Sequence, residues 1–114
     1  MFKFILACLI FTLISCSPPE KKEFQRGERG VSRNDFKSAI MHFDNAIKVA
    51  PESIWALKSA REAARVSHYL EKDFNTAIRF YRHMVLYSDN SEERNKSQKE
   101  IAYLYFDSLQ NYPQ

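Results

Sequence analysis

Asn34-Asp35-Phe36-Lys37-Ser38-Ala39-Ile40-Met41-His42-Phe43 returns later in the chain as Lys72-Asp73-Phe74-Asn75-Thr76-Ala77-Ile78-Arg79-Phe80-Tyr81. An Asp, an aromatic, a small hydroxyl residue, an Ala, an Ile and a second aromatic all recur 38 residues on, counted from Asp35 to Asp73. Self-similarity at a fixed period is the mark of a stacked architecture. Each copy reads as the second half of a helical hairpin. Asp35 and Asp73 stand where a carboxylate accepts from the unpaired N–H groups of a helix start, at the positive end of its dipole. Phe36, Ala39, Ile40, Phe43, Ala46 and Ile47 then follow the spacing of one apolar helix face, which Pro51 closes. In the second copy the face runs Phe74, Ala77, Ile78, Tyr81, Met84 and Val85, and stops near Ser88-Asp89-Asn90. The Ala shared by both copies marks a close approach of a neighbouring helix.

Outward from this pair, a first helix is expected over Glu20 to about Arg33. It is polar, with Phe24 and Val31 its only bulky apolar residues, and suits a cap. Between the copies, a helix over about Ser53 to Leu70 carries Leu57, Ala60, Ala64 and Leu70 on one face and Trp55, Glu62, Val66 and Tyr69 on another, as an inner member of a stack requires. From Ser91 a last helix opens on Glu92-Glu93, and Ile101-Ala102-Tyr103-Leu104-Tyr105-Phe106 in it is apolar all round. That tail either ends the array or begins a third hairpin. Left in water, two or three of its bulky residues make a self-association surface, for which Ile101, Tyr103, Leu104 and Phe106 are the candidates. The fold class expected is all-α, about two hairpins plus a further long helix. With 114 residues, two Gly and four Pro, the chain is too short for several domains and too poor in turn formers for an all-β fold.

The repeated residues resemble the tetratricopeptide repeat, a helix–turn–helix unit of about 34 residues whose copies stack into a curved groove. Gly27, Asp35, Phe36, Ala39, Phe43, Ala46 and Pro51 carry the likeness in the first copy, and Asp73, Phe74, Ala77 and Tyr81 in the second. Met84 and Asp89 replace the late Ala and the Pro. The longer period departs from the family and adds about one turn to the helix before Asp73. The resemblance covers residues 21–114, read as one helical domain or as the N-terminal part of a longer array. It implies a groove lined by Trp55, Lys58, Glu62, Arg65 and Tyr69 that docks another protein or peptide segment. The other reading of Trp55 and Tyr69 is packing against neighbouring repeats.

At the N-terminus, Lys3 precedes an apolar run from Phe4 to Ile14, too short to span a membrane, which needs about 20 residues. Ser15-Cys16-Ser17-Pro18-Pro19 follows, the layout of a secretory signal. Leu13-Ile14-Ser15-Cys16 resembles the lipobox of bacterial lipoproteins. The likeness implies residues 1–15 as signal peptide, a lipidated Cys16 as the new N-terminus, and residues 16–20 as acylated Cys and tether. Ser17 stands where an inner-membrane retention Asp would be placed, so the outer membrane, facing the periplasm, is the location expected.

Catalytic chemistry is not expected. Cys8 and Cys16 are the only thiols, His42, His68 and His83 do not pair at helical spacing, and no Gly-rich loop or nucleophile motif occurs. No metal or cofactor is therefore expected. A dispersed net charge of +3 argues against nucleic acid as a partner. The function expected is a membrane-anchored, non-catalytic docking scaffold for another envelope protein. The alternative is a structural module that forms a homo-oligomer through its last helix.

Overall fold

The computed structural model describes residues 17–110, and of residues 108–110 the backbone only. The expected signal peptide, Cys16 and the expected third register of the repeat at Asn111-Tyr112 lie outside the described residues. Within them the protein is all helical: α1 (Pro19–Ser32), α2 (Phe36–Val49), α3 (Ile54–Arg65, carried on by one π turn, Val66–Leu70), α4 (Phe74–Tyr87) and α5 (Ser91–Gln110). Each helix packs on the next, and α1 also touches α3. The α1–α2 and α3–α4 pairs are thus successive hairpins. No described helix is long and apolar enough to cross a membrane.

The repeat read in the sequence is repeated in the backbone. Asp35 and Asp73 cap α2 and α4, accepting from Ser38 N at 3.3 Å and Thr76 N at 3.2 Å. Immediately before them Asn34 and Lys72 take left-handed φ of 58° and 53°. The first turn closes with Asp35 N donating to Gly30 O, five residues back, at 2.9 Å, as when a left-handed residue ends a helix. In the second, Asp73 N reaches six residues back, to Ser67 O, at 2.8 Å. The extra residue is taken up by the π turn at the end of α3. The register of the hairpins' first helices is therefore 37 residues rather than 38. At that offset Gly27 and Gly30 of α1 meet Ala64 and Ser67 of α3, and all four are buried.

These small residues set the helix spacing. A Cβ on Gly30 would lie 3.0 Å from the backbone N and Cα of Ala39, and one on Gly27 would overlap the Phe43 ring. Two helical Gly each cost about 1 kcal/mol against Ala, and here they admit Ala39 and Phe43, both fully buried. The first helix, expected to be little more than a polar cap, is joined to the core by this contact and by Phe24, whose ring lies 5.9 Å from that of Phe43. On α3, Ala56, Ser59, Ala60, Ala63, Ala64, Val66 and Ser67 are buried, so its inner surface is broader than the stripe of Leu57, Ala60, Ala64 and Leu70. Leu70 is exposed, because the π turn rotates the last residues of α3 off that line. Among the described residues the core runs from Phe24 to Leu104. α1 starts at Pro19, a residue suited to the first helical position and inside the span expected as a tether.

Candidate functional site

The five groove candidates lie along α3 but serve two different junctions. Trp55 faces α1, its ring 5.5 Å from that of Phe24, and the ammonium groups of Lys21 and Lys58 cover it at 5.3 and 4.8 Å. Trp55 is thus a half-buried packing residue, and Lys58 is one of its two covers. Packing against a neighbouring helix is thus the reading this contact favours for Trp55, while both residues stay partly exposed. Two turns on, Glu62 pairs with Arg65 at 2.9 Å. Arg65 and Tyr69 face the other way, toward α5.

There the helices do not pack. A cleft of about 350 Å³ separates them, walled on one side by Arg61, Arg65 and Tyr69 and on the other by Glu92, Glu93, Lys96 and Glu100. Tyr81 and Met84 of α4, both buried, form its floor. Asn90 starts the far wall by accepting from the N–H groups of Glu92 and Glu93 at 2.9 and 3.3 Å. A strap crosses the gap: Arg61 donates from two nitrogens to both carboxylate oxygens of Glu93, at 2.9 and 3.0 Å. The bond to Arg61 holds the Glu93 carboxyl below its ordinary value against an opposing effect of burial.

At the inner end His68 Nδ1 and the Tyr81 hydroxyl share a hydrogen bond of 2.8 Å, with a Glu100 oxygen 3.9 Å from the same nitrogen. The Tyr69 ring stacks on His68, centroids 4.1 Å apart. Burial, then the nearby Tyr69 and Glu100, push the Tyr81 phenol well above its usual range, so it keeps its proton. The π turn that absorbs the extra residue carries both His68 and Tyr69 into this cluster. The cleft therefore offers a sulfur and phenol floor, an aromatic edge, and walls of mixed charge in which Arg61 and Glu93 pair with each other. Such a surface can take an apolar side chain of an extended segment while its rim bonds polar groups. Among the described residues no group of three or more His, Cys, Asp and Glu is placed to hold a metal ion.

The sequence does not name Arg61, Tyr81, Met84, Glu93, Lys96 and Glu100 as site residues; Tyr81 and Met84 read there as an apolar helix face and Glu93 as a helix start. Arg61 precedes Arg65 by one turn, and Glu93, Lys96 and Glu100 keep helical spacing on α5, which is the signal that could have exposed both walls. The pairing across 32 positions from Arg61 to Glu93 has no local signature.

The self-association candidates also divide. Leu104 is only 2% exposed and Ile101 is half-buried against the core, so these two are packing residues of α5 and not part of an outer surface. Tyr103 and Phe106 remain outside, at 64% and 58% exposure, and Tyr105, also exposed, meets Arg82 of α4.

Compared with protein-family models, with curated proteins and with solved structures, the chain gives no significant match.

Proposed function

We propose that this protein is a non-catalytic docking module of a bacterial envelope, tied to the membrane through lipid on Cys16, which receives an extended segment of another envelope protein in the cleft between α3 and α5. The observation that carries the reading is the cleft itself. It opens between the first helix of one hairpin and the helix that follows the hairpin, over Tyr81 and Met84. That is where a tetratricopeptide-like stack keeps its concave side. The likeness of Leu13-Ile14-Ser15-Cys16 to a lipobox supports the anchor, and Ser17 after it supports the outer membrane, facing the periplasm. Because α1 starts at Pro19, an anchored Cys16 would hold the helical domain close to the lipid surface.

The test has two arms. Cys16→Ala should move the protein out of the membrane fraction or stop its processing. The pair Arg65→Glu and Tyr69→Ala should shrink the complex seen on native gels of detergent-solubilised membranes, while Lys37→Glu, at an exposed site on α2, should leave it unchanged. Membrane retention of a Cys16→Ala protein that is still processed to the wild-type length would overturn the anchor. A complex indifferent to the cleft pair would overturn the docking site.

A further inference from the structure

The side of α5 turned away from α4 carries Lys99, Ala102, Tyr103 and Phe106, which surround a shallow depression of about 480 Å³. The cleft residues of α5 lie on another side of the helix and mostly nearer its start. The four positions are symmetric about the midpoint between Ala102 and Tyr103: Lys99 and Phe106 stand equally far from it, as do Ala102 and Tyr103 themselves. We propose that α5 pairs antiparallel with α5 of a second copy of this chain, across a two-fold axis at that midpoint.

In an antiparallel pair each layer joins residues equidistant from the axis. Ala102 of one copy then lies beside Tyr103 of the other, a small side chain leaving room for a large one. Lys99 lies beside Phe106, which sets an ammonium against a ring face. Asp107, next to Phe106 and exposed, comes within reach of the same ammonium. Among the described residues neither Lys99 nor Asp107 has an ion-pair partner within its own chain. A parallel pair would instead set Lys99 against Lys99 and Tyr103 against Tyr103, so charge and size both select the antiparallel one. A two-fold contact needs a self-complementary patch, and this one complements itself.

The pair is a weak one. The Tyr103 and Phe106 rings each leave roughly 100–150 Å² in water, so the four rings of a pair cover on the order of 500 Å². Even with Lys99 and Ala102 added, this stays below the ~1,200 Å² of a stable interface. The expected dimer is therefore concentration-dependent. It requires no occupant of the cleft, so its failure would leave the docking proposal standing.

The experiment is sedimentation equilibrium of residues 17–114, which contain the entire described core and no Cys, from micromolar to millimolar concentration. A monomer–dimer equilibrium is expected, weakened at least tenfold by Tyr103→Lys. Lys99→Asp and Asp107→Lys should each weaken it severalfold, and the two together should restore it to within about twofold. The variants replace exposed side chains, and circular dichroism of each checks that the helices remain. A monomer throughout the range would overturn the proposal, as would a dimer indifferent to Tyr103→Lys. A charge swap no better than its single changes would overturn the antiparallel arrangement.

Discussion

The two junctions of α3 are built from the same kind of helix and end differently. Toward α1 the gap is filled: Phe24 reaches Phe43 and Trp55, and two lysines lie over the indole. Toward α5 the gap stays open, crossed by the Arg61–Glu93 strap above Tyr81 and Met84. One aromatic pair separates core from site. Where α1 supplies Phe24 to the junction, the corresponding wall of α5 supplies Glu93, Lys96 and Glu100, and charged side chains hold their heads in water instead of closing the space.

The sharpest way to break the comparison is to empty the filled junction. Phe24→Ala removes a ring at only 8% exposure that contacts both Phe43 and Trp55, and should cost about 3–5 kcal/mol in urea unfolding. A loss under about 1 kcal/mol would mean that α1 is held by its glycine contacts alone. Next in size is Ala77→Leu. Ala77 is fully buried in the core, at the position that Ala39 holds in the first hairpin, and a larger side chain should cost about 1–3 kcal/mol and lower the thermal midpoint. An unchanged or higher midpoint would show slack at that position.

The two turns give a gentler comparison. Asn34 tolerates its left-handed backbone, whereas Lys72 in the same conformation carries strain of about 1 kcal/mol. Importing the first hairpin's residue by Lys72→Asn should raise stability by up to that amount, read from the denaturation midpoint. A lower midpoint would show that Lys72 makes a compensating contribution through its side chain. The smallest effect is expected at the open junction. Glu93→Gln weakens a strap whose Arg61 side chain is 45% exposed, so solvent screening limits the loss to under about 1 kcal/mol. The Glu93 carboxyl titrates lower in the folded protein than in the unfolded chain. Its contribution is therefore complete above the unfolded value near 4.5 and is lost as pH falls below that through the folded value. The difference between wild type and Glu93→Gln should shrink over that acid range, and a difference that grew there would contradict the strap.

How far the sequence reached follows from the range of each interaction. Caps and turns depend on neighbours, so Asp35, Asp73 and Ser53 announced the helix starts, and Ser53 indeed accepts from Ala56 N at 3.0 Å. The first helices of the two hairpins hid their likeness, because the π turn shifts their register to 37 and a comparison at 38 sets Gly27 and Gly30 against the wrong partners. Trp55 was legible as an aromatic on an outer face of α3, but whether that face meets protein or solvent is decided by Phe24, a residue of another helix. The expectation that the apolar tail of α5 leaves two or three bulky side chains outside agrees with the structure. Helical spacing alone, in a stretch apolar all round, did not tell which of them Leu104 and Ile101 would leave behind by turning inward.

Photo-crosslinking in intact cells tests the central claim, that the open junction is the docking face, most directly. A photoreactive residue is placed at Tyr69 on the cleft wall, at Lys96 opposite, and at Leu86, which is 75% exposed on α4 and does not line the cleft. The account predicts one common adduct from Tyr69 and Lys96 that is absent from Leu86 and is lost when Met84→Glu charges the cleft floor. Met84→Glu must first be shown to keep its helical circular dichroism. An adduct formed equally from Leu86, or none from either cleft wall, would contradict it.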